Sequence, residues 1–519
     1  MKNKWVFLIL IFLLTIFFRL WKLTEIPPGL YPDSAIYGND AWLSLKNKDF
    51  KVFYPENNGR EGLFMWLLAL SFYIFGVSIF SLRIVCAIIG ILTVFGVYLL
   101  AKELFENEKI ALLSSFFLSV SFWHTNLSRI GFRVILLPFI LTFSFYFLLR
   151  SLKNKSTLPS ILAGIFFGLG FYTYTSFRMA VLILPFLFGL WFLVAKKEGW
   201  QKNFLFLTFS FLIFTFFVAL PIGIYFLKNP QDFISRATPI SIFEAENPVK
   251  EFLKSLILHF GMFNFYGDPN WRHNFSKSPM LFWPVGILFL IGFFLTIKEL
   301  IKFLKNKDLS SSVSSFLLLV VSFFVMLLPG ILTREGIPHS LRVAGAIPFV
   351  FIFVGLGGNL TYQKLKEIIK NERLLKAFSF GFLIFVALFE FHKYFFVWAK
   401  KPEVKSEFTK EYLEMGNYLN SLPEDFEKYV IVNKGGVPVS WAKNIPMPAQ
   451  SIMFLEISKY GKIKSEYLLP EDIEKIKIEK RGVILPMAFD EKIFEKLKEK
   501  FPEGQIKKVN EFYIFEVEK

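Results

Sequence analysis

Up to about residue 400, apolar positions come in long uncharged blocks separated by short polar, lysine-bearing segments. A transmembrane helix needs roughly 20 mostly apolar residues. Runs of that kind lie near 5–21, 81–101, 110–126, 132–150, 159–175, 178–195, 204–227, 280–300, 313–333, 342–360 and 377–397. The pattern predicts an α-helical polytopic membrane protein with about eleven spans. A further run, Leu63 to Gly76, is apolar but short. If it crossed the bilayer, every later loop would change side.

The lysines arbitrate. With a cytoplasmic N-terminus and a non-crossing Leu63–Gly76, the inner loops hold Lys102 and Lys109, then Arg150, Lys153 and Lys155, then Lys196, Lys197 and Lys202. Later inner loops hold Lys298, Lys302, Lys305 and Lys307, then Lys364, Lys366, Lys370, Arg373 and Lys376. The short outer turns carry arginine instead: Arg129, Arg133, Arg178, Arg334 and Arg342. Positive-inside segregation produces this distribution. It predicts an interfacial helix over 63–76, a cytoplasmic N-terminus and an extracytoplasmic C-terminal segment. Two long loops, 22–80 and 228–279, then fall outside, and loops of that length are usually functional.

Beyond residue 399 the pattern changes to mixed charge and shorter periods, so a membrane domain over 1–399 is expected to be followed by a small soluble α/β domain over 400–519. Phe408, Tyr412, Met415 and Leu419 recur at helical spacing. Tyr429–Val432, Gly482–Leu485 and Phe512–Val517 read as strands, and Phe489–Phe501 as a helix. Gly435-Gly436 reads as a turn.

Composition agrees with the membrane reading. The chain is 54% hydrophobic, with a mean hydropathy of +0.48, more than a soluble interior of 519 residues can hide. The net charge of +17 does not call for nucleic acid, because much of the lysine sits in short loops between apolar runs. Cys86 is the single cysteine and excludes an intramolecular disulfide. The first apolar run lacks a small-residue cleavage site and leads into Arg19, Trp21 and Lys22, so it reads as an uncleaved span.

Candidate chemistry lies on the predicted outer side. Asp33 follows a Pro-rich turn and opens a stretch that can be helical, with Ser34, Tyr37 and Ala41 on one side. Two readings fit: an N-cap, or a carboxylate at the membrane surface acting as general base. Asp40 is the competing carboxylate. Arg60 and Glu61 precede the short apolar run, either as interface anchors or lining a polar pocket. Three tight turns keep arginine: 124–133 with His124, Arg129 and Arg133, 172–178 with Tyr174 and Arg178, and 334–342 with His339 and Arg342. Any one arginine could simply snorkel. Together they suit a lipid-linked phosphate, which the planar guanidinium grips in bidentate fashion. No histidine pair has metal-ligand spacing, so no metal site is assigned, although a divalent cation stays open.

Four segments, in this order, resemble the GT-C glycosyltransferases, in the family 39-like branch related to protein O-mannosyltransferases and aminoarabinose transferases of lipid A. They are Pro27-Pro28-Gly29-Leu30-Tyr31-Pro32-Asp33, Gly59-Arg60-Glu61, Ser81-Leu82-Arg83 with Lys102-Glu103-Leu104-Phe105, and Trp123 through Arg133. The resemblance covers roughly residues 5–360. It implies the GT-C fold and inverting transfer of a sugar from a polyprenyl-phosphate donor to an acceptor protein, lipid or glycan at the external membrane face. It further implies Asp33 as base, with outer-turn arginines receiving the lipid phosphate, Arg129 and Arg133 first. The family motif is usually Asp-Glu, and Ser34 stands here in place of the Glu. Two other classes compete. Against a lipid or sugar transporter or flippase, the spans contain few charges of the kind that mark ion pathways, and the two halves show no obvious inverted repeat. An O-antigen-ligase-like enzyme would not predict the Asp33 loop.

Overall fold

The computed structural model describes residues 4–234, 238–306 and 311–518. The chain divides into two units, Met1–Lys22 with Cys86–Trp398, and Leu23–Val85 with Ala399–Lys519.

Among the described residues, eight helical stretches are long and apolar enough to cross a membrane: Ile79–Phe105, Arg133–Asn154, Thr175–Glu198, Gln201–Lys228, Trp283–Phe303, Val313–Ile331, Ala344–Ile368 and Glu372–Lys400. The other three expected runs form shorter helices, Lys4–Leu20, Glu108–Val120 and Thr157–Gly170. The break in 110–126 has a local cause. Ser121 takes extended backbone, and its hydroxyl accepts from the His124 amide at 3.2 Å, which starts a separate helix, Phe122–Leu127. The short run forms a helix over Leu63–Phe75. Its 13 residues span about 20 Å, short of a ~30 Å hydrocarbon core.

Small residues let the membrane helices approach. A Cβ on Gly292 would collide with the Phe353 carbonyl, and one on Gly357 with that of Leu288. Helices Trp283–Asn306 and Ile347–Ile368 therefore pack backbone to backbone.

Within the same unit, Arg19 and Arg129 are buried. Arg129 donates to the carbonyls of Phe18, Arg19, Trp21 and Lys22 at 2.7–3.0 Å. Phe18 and Arg19 lie in the last turn of helix Lys4–Leu20, whose carbonyls have no intrahelical donor, and Trp21 and Lys22 follow it. Arg19 in turn donates to the carbonyls of Ser119 and Leu118, where helix Glu108–Val120 ends, and to Nδ1 of His124 at 2.8 Å.

The second unit joins the first loop to the C-terminal segment. Its sheet runs Glu466–Leu468, Glu427–Ile431, Arg481–Pro486, Phe512–Glu518, Gln505–Val509. The first three strands are parallel, with Val430 opposite Tyr467 and Leu485, and the last two are antiparallel. Tyr429, Ile431, Ile484, Phe515 and Val517 on one face pack with Ile493, Phe494 and Leu497 of helix Glu491–Lys500. Helix Lys410–Ser421 buries the four expected positions, Phe408 at its entrance and Tyr412, Met415 and Leu419 within it. A Cβ on Gly416 would meet Leu455 at 2.5 Å, so Gly416 permits the close approach of helix Gln450–Tyr460. That helix and the strands 466–468 and 505–509 were not among the expected elements.

Arg129→Lys is expected to lower the melting temperature of the detergent-solubilised protein by several degrees. An ammonium brings three donors to four carbonyls, two of them in buried hydrogen bonds, and each buried group left without a partner costs about 1–3 kcal/mol. An unchanged melting temperature would show that the guanidinium does not hold the helix end.

Candidate active site

Asp33 is set by a helix and a hairpin in the second unit. Helix Pro32–Asn47 starts at a proline whose fixed φ suits the first helical position. The cap considered for Asp33 is therefore not formed. Tyr31 occupies the N-cap with no side-chain bond, and Asp33 lies in the first turn. Its carboxylate is half-buried, and Oδ1 accepts from Nδ2 of Asn57 at 3.0 Å. Asn57, Asn58 and Gly59 turn the hairpin between Phe53–Tyr54 and Arg60–Glu61 with positive φ, and Tyr54 lies opposite Arg60. The short strands bury both Arg60 and Glu61.

Asp40 lies two turns along the same helix face from Asp33, about 10 Å further on. Its Oδ2 is 2.5 Å from Nη1 of Arg60, and both side chains are nearly inaccessible. Burial pushes the Asp40 carboxyl above its ordinary range, against the opposing pull of Arg60. Arg60 also donates Nε to the Glu56 carbonyl at 2.9 Å and lies over the Tyr37 ring. The hairpin thus touches both carboxylates of the helix, Asp33 through Asn57 and Asp40 through Arg60.

The approach to Asp33 is held from two directions. Buried Arg83 donates to the carbonyls of Leu23, Thr24, Pro27 and Gly29 at 2.6–3.2 Å. The Leu30 carbonyl accepts from the hydroxyls of Thr409 at 3.0 Å and Ser451 at 2.7 Å. Gly29 has φ +80°, and a Cβ there would strike the backbone at Phe408 and Lys410. Ser440 binds the Glu56 carboxylate through both its amide and its hydroxyl.

The arginine turns of the membrane unit differ among themselves. Arg129 is committed to main-chain carbonyls, and His124 is buried against Arg19. Arg133 is buried 5.2 Å from the ring centre of Tyr174, so these two sequence candidates come together. Arg178 donates to the Phe233 carbonyl and lies over the rings of Phe226 and Phe233. Arg342 donates to Thr333 Oγ1 at 2.8 Å and to the Glu335 carbonyl at 2.6 Å.

Near Arg342 lies a group that spacing did not reveal. Buried Asp268 accepts through Oδ2 from the amide and hydroxyl of Ser340, both at 2.8 Å, and sits 3.2 Å from Nδ1 of His273. Burial pushes the Asp268 carboxyl up, but His273, His339 and the Ser340 amide outweigh it and hold it below the usual range. Asp268, His273 and His339 each offer a ligand atom within 4.8 Å of the others, an arrangement able to hold a divalent cation. Nε2 of His259 accepts from the His339 amide at 3.2 Å, so the ring proton is on Nδ1 and goes to the Ser255 carbonyl at 2.8 Å.

The family model described as dolichyl-phosphate-mannose-protein mannosyltransferase matches residues 63–224. ArnT from Cupriavidus metallidurans, in a crystal structure bound to undecaprenyl phosphate, superposes with a TM-score of 0.58 at 11% identity, over 99% of this chain and 98% of that one. Its apo state gives 0.57. The chain has the GT-C glycosyltransferase fold. An uncharacterized protein of Aquifex aeolicus (strain VF5) is 31% identical over 120 residues, a stretch that spans 22% of this chain and 24% of that relative.

Asp33 and Arg60 stood out in the sequence because they lie beside Pro-rich and Gly-containing turns. Asn57 was missed, Arg83 stands only within a resembling segment, and Asp268 reads as an ordinary charge of the second long loop. Asn57 looks like any turn residue, Arg83 like a helix-end anchor, and Asp268 reaches the loop at 339–340 only through folding.

Burial pushes the His259 imidazole down to about 4, with Ser255 pulling the other way. Between that value and the ordinary ~6.5, the unfolded chain binds a proton that the folded chain does not. Stability therefore falls as pH drops from about 6.5 toward 4, by up to ~3 kcal/mol. His259→Gln should make the melting-temperature profile less steep over this window. A profile as steep as the parent's would remove His259 from the account.

Proposed function

We propose that the protein moves a sugar from a polyprenyl-phosphate donor to an acceptor hydroxyl or similar nucleophile at the non-cytoplasmic membrane face, with inversion and with Asp33 as general base. The observation that carries this reading is the half-buried Asp33 carboxylate, held through one oxygen by Asn57 in the first turn of a helix that favours negative charge there. The GT-C fold, and the undecaprenyl phosphate bound by ArnT, support a lipid-linked donor. The segregation of lysine from arginine supports the external face.

In this reading the acceptor proton passes to the Asp33 carboxylate as the acceptor oxygen forms its bond to the anomeric carbon. The bond from that carbon to the donor phosphate breaks on the opposite side, and the electron pair leaves with the polyprenyl phosphate. Asn57 orients the base. Arg60, paired with Asp40, keeps the hairpin on the helix and acts as a positioning residue, and Glu61 is assigned with it. Developing charge on the phosphate calls for fixed donors. We assign that role to Arg133 with Tyr174, and give Arg178, His339 and Arg342 lesser shares.

The test is sugar release from a panel of radiolabelled polyprenyl-phosphate sugars by purified protein. Asp33→Asn should reduce turnover by at least about 100-fold with an unchanged melting temperature. Asn57→Ala should reduce it about tenfold, the equivalent of one orienting hydrogen bond. Equal turnover by the parent and Asp33→Asn would rule out this base. Lipid translocation without sugar release would instead favour a transporter.

A further inference from the structure

A cavity of about 620 Å³ opens where helices Ile79–Phe105, Leu136–Asn154 and Ile183–Glu198 end. Along the stretch Arg133–Asn154 it lies about 30 Å from Arg133, one bilayer core away. Its lining includes Lys102, Arg150, Lys155, Trp191, Glu198 and Trp200.

Two of the lining cations are already matched. Lys102 pairs with Glu108 at 3.2 Å and Lys153 with Glu106 at 2.8 Å. Glu198 accepts from the Trp200 indole at 2.9 Å, and Glu103 also lines the cavity. Arg150 and Lys155 differ. Arg150 donates to the neutral Tyr146 hydroxyl at 2.9 Å, and Lys155 Nζ lies 5.0 Å from the centre of the Trp200 ring. Neither has a carboxylate partner among the described residues. A third donor has no acceptor there: the indole N–H of Trp191, a residue only 2% exposed. A buried polar group left without a partner is costly and calls for a ligand.

We propose that this cavity binds the phosphate headgroup of an anionic phospholipid, with Arg150 and Lys155 on the phosphate and the Trp191 N–H as a further donor. Basic pockets between transmembrane helices take anionic headgroups, and tryptophan belongs at this depth. The volume lies within the usual range for a small-molecule pocket. Cations at helix C-termini also offset the helix dipole, but that role alone would leave the buried indole N–H without an acceptor.

Native mass spectrometry of the full-length protein in detergent, titrated with phosphatidylglycerol or phosphatidylcholine, tests the proposal. The parent should retain one phosphatidylglycerol and discriminate against phosphatidylcholine. The double variant Arg150→Gln/Lys155→Gln should bind phosphatidylglycerol at least tenfold more weakly. Trp191→Phe, which leaves both cations in place, should weaken it about threefold. Equal retention of the two lipids, or binding unchanged in both variants, would overturn the proposal. Displacement of the lipid by inorganic phosphate at the same concentration would overturn it too, since the cavity would then be a site for a free anion.

Discussion

Buried guanidinium groups that serve main-chain carbonyls hold this protein together where its helices stop short. A helix end in a dry environment leaves carbonyls without donors, and nothing in hydrocarbon can supply them. Arg129 closes the end of the first helix with four hydrogen bonds, Arg19 reaches the end of helix Glu108–Val120, and Arg83 gathers four carbonyls between Leu23 and Gly29. A planar fork with five donors can do this from one side chain, where lysine cannot.

The first loop depends on the same device. Arg83 holds its start, and Thr409 and Ser451 hold the carbonyl of Leu30, three residues before Asp33. The hairpin at 53–61 then fixes the helix from its other side through Asn57 and Arg60. Asp33 is thus placed by short-range turn chemistry together with contacts to Leu30 from residues 379 and 421 positions later. In the second unit the C-terminal segment has a structural part in shaping this loop. The buried Asp40–Arg60 pair is kept tight because either member alone would be an uncompensated charge away from water.

Much of the membrane architecture was legible because its signal is local. Each apolar run is a helix, since a backbone in hydrocarbon must satisfy its own hydrogen bonds. Lengths were less secure: Ser121 divides one run because a hydroxyl competes with the helix for backbone amides, which average hydropathy cannot register. In the C-terminal segment, Phe408, Tyr412, Met415 and Leu419 announced their helix by period. Gln505–Val509 did not announce its strand, because this edge strand is mostly exposed and carries lysines.

The candidate site divides in the same way. The sequence by itself determined an α-helical membrane protein, singled out the Asp33 loop, and marked the turns where arginine replaces lysine, because each of these is written in neighbouring residues. Only the tertiary structure decided what those arginines do. It set Arg129 on carbonyls at the end of the first helix, brought Arg133 beside Tyr174, paired Asp40 with Arg60, and assembled Asp268 and His273 of one loop with His339 of another. A guanidinium has the same charge and donors whether it meets a carbonyl, a carboxylate or a phosphate, so its role follows from which acceptor the fold brings within 3 Å.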